Sequence, residues 1–381
     1  MSRPRAPLLM VSSSSRTGPA EGLISLAREL RSLGLDARFG GDTVRPGENL
    51  GEHLAHAGVP WEQELRLSRK VRIRDLVRDV RLLREWARSG RFDLFHAAFA
   101  HDHFVSLLAS RRAPDLRLVR VAQRRIDLEP GFLRRRLWAL RRSDGVVVHC
   151  ESYRRLLLGQ LAKERVATVY GSVDGHWFSP GRSPELRARW GIPSAAPLAG
   201  IVARMKPERG HRTLLRAFVR ALREVRDAWL VLVGRGEEEE PLRALTRELA
   251  ISDRVVFGGY LRGPGLVEAY RALDVAVWLR EGNDGACRGV LEAMACGVPV
   301  IAGAAGAPAE LVTAETGRIV DPDDAGAIGD ALAGVLGHLT KSRELGLAAR
   351  ERALQFTPRR AAEETLAFWR RLRDLPRVWG A

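Results

Sequence analysis

Short apolar segments of strand length alternate with longer amphipathic segments along the chain, and this alternation constrains the fold more than any other feature. In the first half, strands are predicted at 7–11, 92–96, 116–121, 145–149 and 166–170. In the second half, they are predicted at 198–203, 229–233, 255–257, 275–279 and 298–302. Strands that alternate with helices form parallel sheets covered by helices on both faces. The sequence therefore predicts an α/β protein with a doubly wound pattern repeated twice.

The segment 171–189 interrupts the periodicity with Gly175, Pro180, Gly181 and Pro184, and it predicts an interdomain linker. A length of 381 residues, at roughly 150 residues per domain, fits two or three domains. The composition, 45% hydrophobic and 28% charged, is that of a globular protein.

The chain contains no signal-peptide pattern and no run of about 18 apolar residues, so we expect a cytoplasmic protein without a membrane span. Its cysteines, Cys150, Cys287 and Cys296, are too few and too scattered for a disulfide framework or a structural zinc site. We therefore expect reduced thiols, with packing as the simplest role for Cys287 and thiol activation near a helix start as the alternative.

Acidic residues follow the strand predicted at 275–279. The turn signal at 283–285 includes Asp284, and a helix pattern containing Glu292 continues until Gly297. Ligands of open α/β sheets bind at the carboxyl ends of the strands, where helix N-termini attract anions. Asp284 and Glu292 are therefore candidate ligand-binding residues. The alternative is that Asp284 only caps the helix and that Glu292 is a solvated surface residue.

Other predicted strand ends carry complementary chemistry. The strand at 198–203 is followed by Arg204, Lys206 and Arg209, which are cations suited to phosphate. The strand at 229–233 runs into Gly234-Arg235-Gly236, where the absence of Cβ atoms lets the backbone approach a ligand. A further small-residue loop covers 302–306. Together these loops predict a site for one phosphorylated ligand.

The ordered motifs resemble those of glycosyltransferase family 4. The family pattern "GR, a few residues, KG" is similar to residues 203–210, and "LVG.G" is similar to 232–236. The pattern "S..EG.G...LEAMA.G.PV" is similar to 279–300. Upstream, "NGVD...F.P" resembles 171–180, and "DVVH" resembles 93–96. Each match is weak alone, but their order is specific.

This resemblance implies two facing Rossmann-like domains of the GT-B architecture, with the nucleotide-sugar cleft between them. The implied boundaries are an acceptor domain at 1–172, a nucleotide-sugar-binding domain at 173–358, and a last helix at 359–381 that returns to the first domain. The implied enzyme is a retaining, metal-independent transferase of the hexosyl type, with no cofactor, since the nucleoside diphosphate sugar is a substrate.

The resemblance also assigns residues to roles. Arg204 and Arg209 match the two cations that hold the donor diphosphate, with Arg209 in place of the family's Lys. Glu292 matches the acid that binds the ribose, and Asp284 matches a glutamate near the donor sugar. These four residues are the candidate catalytic set. The wider donor-binding set adds Gly18, Gly234, Gly236, Gly285 and Ala286.

The family often carries a histidine near the transferred sugar, after the strand that matches 116–121. Here Gln123 lies in that region, and no histidine does. His96, His101 and His103 are candidate residues on the acceptor side, together with Gln123. The alternative for these histidines is a structural or simply exposed role.

Positive charge is concentrated in the first half. The chain has 62 Lys and Arg against 46 Asp and Glu, a net charge of +16. The segment 66–91 predicts a basic amphipathic helix with Ile73, Leu76, Val77, Val80, Leu83 and Ala87 on its apolar face. Such a helix suits an anionic membrane surface. The alternative is an ordinary arginine-rich surface. Nucleic acid is not an expected partner, because no recognition motif accompanies the charge.

We therefore expect a glycosyltransferase that moves a sugar from a nucleoside diphosphate sugar to a saccharide or lipid-linked acceptor in cell-envelope polysaccharide or lipopolysaccharide synthesis. The expected location is the cytoplasm, with peripheral attachment to the inner face of the membrane. Two alternatives from other classes are a sugar-nucleotide epimerase of the same architecture and a non-catalytic basic protein that binds membrane or nucleic acid.

Overall fold

The computed structural model describes residues 6–13, 17–42, 50–67, 72–111, 113–123, 137–281 and 286–378. Contacts between residues divide the chain into two compact units. Unit 1 contains Met1–Gly171 and Pro358–Ala381, together with the short segment that includes Ala286. Unit 2 contains Ser172–Gly282 and Cys287–Thr357.

Unit 1 is built on a parallel sheet. In the described residues its strands are β1 (Pro7–Val11), β2 (Arg38–Gly41), β3 (Trp61–Glu62), β4 (Leu94–Ala97), β5 (Arg117–Ala122), β6 (Gly145–Val148) and β7 (Val166–Thr168). Their order is β3-β2-β1-β4-β5-β6-β7, and every neighbouring pair is parallel. The order reverses between β1 and β4, which is where doubly wound sheets bind ligands.

Unit 2 has a second parallel sheet. In the described residues its strands are β8 (Leu198–Val202), β9 (Trp229–Val233), β10 (Val255–Gly259), β11 (Val275–Trp278), β12 (Val300–Gly303) and β13 (Gly317–Val320). Their order is β10-β9-β8-β11-β12-β13, again with parallel neighbours only. The two sheets confirm the predicted α/β class with two Rossmann-like domains.

Helices connect the strands in both units. Among the described residues, the helices of unit 1 before the last one are α1 (Gly18–Ser32), α2 (Leu50–His56), α3 (Ile73–Arg88), α4 (Ala100–Ser110) and α5 (Glu151–Leu158). Unit 2 contains α6 (Pro184–Arg189), α7 (His211–Glu224), α8 (Glu239–Glu248), α9 (Pro264–Ala272), α10 (Arg288–Ala295), α11 (Gly306–Leu311), α12 (Ala325–Leu336) and α13 (Leu339–Ala353). The last helix, α14 (Pro358–Arg373), belongs to unit 1. No helix in the described residues is both long and apolar enough to cross a membrane.

The strand predictions hold where the apolar run is continuous. β1 and β9 have the predicted bounds, whereas β2, β3 and β13 were not predicted. β2 contains two glycines, which lower strand propensity, and β3 has only two residues. Pairing with neighbours in the sheet stabilises these strands, and that information is absent from their local sequence.

The predicted linker contains a helix that was not expected, because α6 occupies Pro184–Arg189. Pro184 lies in the first turn of α6, where its missing N–H is no loss. Arg187 of α6 reaches Asp274, with Nη2 2.9 Å from Oδ2, and donates through Nε to the carbonyl of Ala272 at 2.8 Å. The helix is therefore fixed to unit 2, so the last part of the predicted linker belongs to that unit.

The basic helix is shorter than predicted, and its buried face differs. α3 begins at Ile73, so Arg66 lies outside it, and residues 68–71 lie outside the described residues. Leu83 and Ala87 are buried, but Ile73 and Val77 are 77% and 43% exposed. Buried Asp79 occupies the inner face, where its carboxylate accepts hydrogen bonds from the backbone N–H groups of Arg66 (3.1 Å) and Leu67 (3.0 Å). This polar anchor sets the rotation of the helix and leaves Ile73 and Val77 outside the core.

The last helix completes the core of unit 1. Trp369 of α14 is fully buried, and its ring meets that of His96 edge-on at a centroid distance of 5.4 Å. Ala362, Leu366, Phe368 and Leu372 share one apolar cluster with residues of β1 and β5. Arg117 of β5 also donates to the carbonyls of Arg373 (3.2 Å) and Leu375 (3.0 Å). The strands and α14 therefore share one packed core, although they are distant in sequence.

We expect Trp369→Ala to destabilise the protein by about 3–5 kcal/mol, because it removes a fully buried aromatic side chain and leaves a cavity. Chemical denaturation followed by circular dichroism measures the change. Trp177→Ala is the matched control, because Trp177 is half-exposed. A loss for Trp369→Ala no larger than that of the control would contradict the packing described for α14.

Candidate active site

The loops that follow β8 and β9 are packed backbone against backbone. Ala203 N–H donates to the Val233 carbonyl at 3.0 Å, and Met205 N–H donates to the Arg235 carbonyl at 3.1 Å. A Cβ on Gly234 would overlap the Ala203 carbonyl, and a Cβ on Gly236 would overlap that of Met205. The fold itself therefore requires both glycines. The sequence had suggested them for another reason, which is that a backbone without Cβ atoms can approach a ligand.

The loops after β11 and β12 extend the same edge. Gly303 leaves no space for a Cβ beside the Leu279 carbonyl, and Gly210, with a φ of 80°, lies against the Leu279 side chain. Gly306, with a φ of 61°, makes room for the Glu281 carboxylate. The carboxyl ends of β9, β8, β11 and β12 therefore form one continuous rim of unit 2.

Arg209 is fixed within this rim, whereas Arg204 is exposed to solvent. Arg209 ends a short 3-10 helix, Pro207–Arg209, and its Nη1 donates to the Glu281 carbonyl at 3.2 Å. Its guanidinium carbon lies 5.9 Å from the centroid of the Trp278 ring. The structure thus brings both predicted diphosphate-binding cations to one loop and orients one of them by packing and hydrogen bonding.

His211 is a buried polar group that the sequence reasoning did not single out. It opens α7, directly after Arg209 and Gly210, and its side chain is almost fully buried. Neither ring nitrogen has a hydrogen-bond partner among the described residues. Burial, helped by the charge of Arg209 and opposed by that of Glu238, lowers the pKa of His211 to about 4. His211 is therefore neutral at pH 7.

Glu292 of α10 is only 8% exposed, so the alternative of a solvated surface residue is wrong. Its Oε2 accepts a hydrogen bond from the Tyr270 hydroxyl at 3.0 Å, and its Oε1 lies 3.2 Å from Arg288 Nη2. Burial and the neighbouring Glu292 raise the pKa of Tyr270 well above its usual value. The carboxylate is held in one orientation, and each of its oxygens retains a further lone pair.

Sequence reasoning missed both partners of Glu292. Arg288 lies one helical turn before Glu292, at a spacing that could have indicated the ion pair. Tyr270 lies on α9, and nothing in its local sequence connects it with α10. Only the fold brings the phenol and the carboxylate together.

The start of α10 adopts an uncommon backbone conformation. Cys287 precedes the helix with φ 47° and ψ 45°, the left-handed region that a residue with a Cβ rarely adopts. Ala286 is buried. Gly289 packs against the Trp278 ring, which leaves no space for a Cβ there. Asp284 and Gly285 lie outside the described residues, so their predicted roles stay predictions.

The candidate residues of unit 1 lie in β4 or in the segments that follow β1, β4 and β5. Gly18 is exposed at the first position of α1, where Thr17 Oγ1 caps the helix by accepting from Ala20 N–H at 3.4 Å. His96 lies in β4 and is buried beside Trp369. His101 is half-buried in the first turn of α4. His103 is buried, with Nε2 2.7 Å from the Ser143 hydroxyl.

Gln123 is paired with a histidine that the sequence reasoning did not consider. His149 follows β6; its Nδ1 lies 2.9 Å from the Val169 carbonyl, and its Nε2 lies 3.2 Å from Gln123 Oε1. If the His149 ring is neutral and its Nδ1–H donates to the Val169 carbonyl, its Nε2 can only accept a hydrogen bond. This arrangement favours the orientation of the Gln123 amide in which the NH₂ group faces His149. A histidine therefore lies beside the position where the family pattern led us to look for one.

A buried carboxylate and a buried guanidinium lie at the same edge of unit 1. Arg120 of β5 donates to the carbonyls of Ala97 (3.2 Å) and Ala98. Asp102 Oδ2 accepts from the Phe99 N–H at 2.8 Å. Burial raises the pKa of Asp102 to about 6, against hydrogen bonds from Ser12 and Phe99 and the charge of Arg120. Neither residue was a sequence candidate, since an arginine within an apolar strand pattern carries no clear signal of its own.

Two units with parallel doubly wound sheets and a glycine- and arginine-lined rim define a GT-B-type glycosyltransferase fold. The family model for glycosyl transferases group 1 matches residues 182–352, and the model for glycosyltransferase family 4 matches residues 17–177. The chain belongs to glycosyltransferase family 4, as its motifs predicted.

The chain is similar to curated proteins over about half of its length. A GDP-mannose-dependent alpha-mannosyltransferase of Mycolicibacterium smegmatis is 37% identical over 203 residues, which cover 52% of this chain and 50% of that protein. A D-inositol 3-phosphate glycosyltransferase of Saccharomonospora viridis is 32% identical over 240 residues, covering 60% and 56%. The chain thus spans about half the length of the curated relatives it matches.

Solved structures share the whole fold. A glycosyltransferase from Rickettsia africae matches with a TM-score of 0.81 at 18% identity and covers 97% of this chain and 98% of its own. Anabaena HepE in complex with UDP and glucose also gives 0.81, at 19% identity, covering 96% and 99%.

We expect His211→Leu to stabilise the protein more at pH 5 than at pH 8. In the folded state the pKa of His211 is about 4, below its ordinary value of 6.5. Between about pH 4 and pH 6.5 the unfolded state therefore binds more protons than the folded state. The wild type accordingly loses stability as the pH falls through this range. The variant lacks this loss and also removes buried nitrogens that have no partner. Thermal unfolding at both pH values is the measurement, and an identical Tm difference at the two would contradict the assignment.

Proposed function

We propose that this chain transfers a glycosyl group from a nucleoside diphosphate sugar to a saccharide or lipid-linked acceptor. The observation that carries this proposal is the placement of Arg204 and Arg209 on a loop at the carboxyl edge of the unit 2 sheet, with Glu292 buried on α10, the helix that follows β11 at the same edge. The cations suit a diphosphate, and the buried carboxylate suits the hydroxyls of a ribose. The names of the relatives, which include sugar-nucleotide-dependent transferases, support the same donor class.

Departure of the nucleoside diphosphate is the step in which negative charge develops. Arg209, held by the Glu281 carbonyl, contributes a positive charge whose position is fixed before the reaction. Arg204 lies in the same loop and is free to turn toward the second phosphate because its side chain is exposed. Preorganised cations of this kind stabilise a leaving diphosphate electrostatically. We therefore propose that the reaction needs neither a metal ion nor a cofactor.

Glu292 is proposed to bind the ribose of the donor. Its oxygens already accept from Tyr270 and interact with Arg288, so the carboxylate is oriented before the donor arrives. A sugar hydroxyl donating to either oxygen would complete its hydrogen bonding. Asp284 is proposed to lie near the transferred sugar, and retention of the anomeric configuration is proposed from family membership.

The acceptor is proposed to bind at the carboxyl edge of unit 1, where His101 and the Gln123–His149 pair lie. His96 and His103 are more deeply buried and would act there through their neighbours. The proposed setting is cell-envelope glycan synthesis in the cytoplasm, with peripheral attachment to the inner face of the membrane.

The test of this function is a screen of GDP-mannose and UDP-sugars for protection against thermal unfolding, followed by product analysis with candidate acceptors. Appearance of a glycosylated acceptor and release of the nucleoside diphosphate support the proposal. Conversion of the donor to an isomeric nucleotide sugar without an acceptor would identify an epimerase instead. Absence of stabilisation by every nucleotide would favour a non-catalytic protein.

We expect Arg209→Ala and Arg204→Ala each to weaken nucleoside diphosphate binding by about 1.5–3 kcal/mol, because each removes a charge-assisted phosphate contact. Nucleoside binding should change little. Isothermal titration with the diphosphate and with the nucleoside separates the two effects. Arg216→Ala is the control, since Arg216 is an exposed cation on α7. Equal weakening of both ligands would contradict the assignment.

A second pair of variants tests the ribose site. Glu292→Gln should weaken the nucleoside and its diphosphate alike, because the ribose is common to both. Tyr270→Phe should give a smaller loss, since it removes only the hydroxyl that orients the carboxylate. If the Glu292 carboxylate binds the 2′-hydroxyl of the ribose, the affinity for the corresponding 2′-deoxynucleotide should not change in Glu292→Gln. Wild-type affinity and turnover for Glu292→Gln would make the residue purely structural.

A further inference from the structure

We propose that the seam between α3 and α4 of unit 1 is a docking surface for an anionic lipid bilayer, into which exposed apolar side chains insert between arginines that bind lipid phosphates. This inference rests on the proposed function, because the docking surface would bring the enzyme to a lipid-linked acceptor.

Large apolar side chains are exposed on both helices. On α3, Ile73 is 77% and Val77 is 43% exposed; on α4, Phe104 is 44% and Leu108 is 37% exposed. Each pair is separated by four residues, so each forms one stripe along its helix. The opposite faces of both helices are packed into one apolar core, which includes Leu83 of α3 and Val105 of α4. The exposed side chains are therefore additional to the core.

The two stripes are neighbours. Arg84 lies on the stripe of Ile73 and Val77, seven residues after Val77, and its Nη2 donates to the Leu108 carbonyl at 3.1 Å. This hydrogen bond joins the last turn of α4 to the stripe of α3. Phe104 lies one turn before Leu108, on the same side of α4. The four apolar side chains therefore belong to one surface that crosses the helix–helix seam.

Arginines flank this surface. Arg74, Arg78, Arg81 and Arg88 are exposed on the outer face of α3, and Arg72 and Arg111 are exposed at the ends of the two helices. Within the described residues, none of Arg74, Arg78 and Arg81 lies within ion-pair distance of a carboxylate. Of the acids of these helices, Asp79 and Asp102 are buried, Asp75 is partly buried and Glu85 is exposed, so the arginines outnumber the accessible carboxylates. The surface is therefore strongly positive as well as apolar.

This combination favours a lipid bilayer over other polyanions. Nucleic acid would satisfy the arginines but would leave Ile73 and Phe104 against phosphates and water. An anionic bilayer offers phosphates to the arginines and an acyl boundary to the apolar stripe, which is the arrangement of interfacial helices that lie in the membrane surface. The bilayer is accordingly the occupant that matches both properties of the surface.

The surface also lies near the proposed acceptor side. Helices that connect parallel strands run antiparallel to them, so the N-terminal ends of α3 and α4 lie at the carboxyl edge of the sheet. Ile73 opens α3, and His101 lies in the first turn of α4. An acceptor carried by the bilayer would therefore reach the edge of unit 1 where its proposed binding residues lie.

The test is co-sedimentation with vesicles of phosphatidylcholine, with and without phosphatidylglycerol. We expect the wild type to bind only the acidic vesicles. Replacing Arg74, Arg78 and Arg81 with Gln should lower the partition coefficient roughly a hundredfold, at about fivefold for each arginine near the surface. Ile73→Ser combined with Phe104→Ser should lower it on the order of tenfold, and this loss should persist in high salt, where electrostatic attraction is screened.

Matched controls lie in unit 2. Arg216, Arg223 and Arg247 replaced with Gln remove the same charge from exposed positions, and Ile319→Ser with Leu347→Ser removes exposed apolar side chains. Equal losses for test and control variants, or a wild type that ignores acidic lipid, would overturn the inference. A loss with the arginine variant but none with the apolar variant would also overturn it, because a purely electrostatic attachment leaves the apolar stripe without a role.

Nucleotide-induced thermal stabilisation is measured on the same samples. It reports folding of each variant and keeps the two proposals distinguishable. Intact stabilisation without vesicle binding rejects the docking surface alone. Vesicle binding without any nucleotide stabilisation or transfer rejects the glycosyltransferase proposal and leaves the docking surface standing.

Discussion

The candidate site of unit 2 depends on the close approach of backbone to backbone at the carboxyl ends of its strands. Gly234, Gly236 and Gly303 each lie where a Cβ would overlap the carbonyl of a neighbouring loop. This packing brings the loops after β9, β8, β11 and β12 to one rim and fixes their paths. The side chains that project from these loops, among them Arg204 and Arg209, are then available for a ligand. A fold that needs glycine at these positions thus also positions the proposed anion site.

Much of the fold could be predicted from the sequence because many strands are continuous apolar runs that end at glycine, proline or charged residues. β1 is buried over its full length and β9 over all but its first residue, so their sequences carry the signal, and their predicted bounds were correct. β3 and β13 depend on their partners in the sheet and carry little signal of their own. In the candidate site, Arg209 and Glu292 could be found from motif order, but Tyr270 and His149 could not, because the contacts that make them relevant join elements far apart in sequence.

The rotation of α3 shows why a helical period does not by itself identify the buried face. Residues 73 and 77 and residues 83 and 87 are all apolar, but they do not all lie on one face of the helix. Because Asp79 is buried, the face that carries 83 and 87 turns inward and the face that carries 73 and 77 turns outward. The Asp79 carboxylate accepts two backbone hydrogen bonds, which hold it inside. Burial of the charged carboxylate is unfavourable, and it raises the pKa of Asp79 to about 6. A helical pattern in which every charged residue faces solvent does not describe α3, because Asp79 lies inside and the apolar side chains of Ile73 and Val77 lie outside.

The electrostatics of unit 1 limit what its histidines can do. Burial lowers the pKa of His96 to about 3, with His149 and Arg120 adding to the effect, and burial and Arg120 likewise hold that of His103 at about 3. Both rings are therefore neutral at pH 7, where a general acid or base would need a pKa closer to the working pH. Arg120 itself is accommodated by the carbonyls of Ala97 and Ala98, with Asp102 supplying a nearby negative charge. In such an environment a neutral imidazole can orient a neighbour or a sugar hydroxyl by hydrogen bonding, but it is poorly suited to carry a proton. Under the proposed function, these rings of unit 1 would therefore contribute by position, while the charged groups proposed to stabilise the leaving diphosphate belong to unit 2.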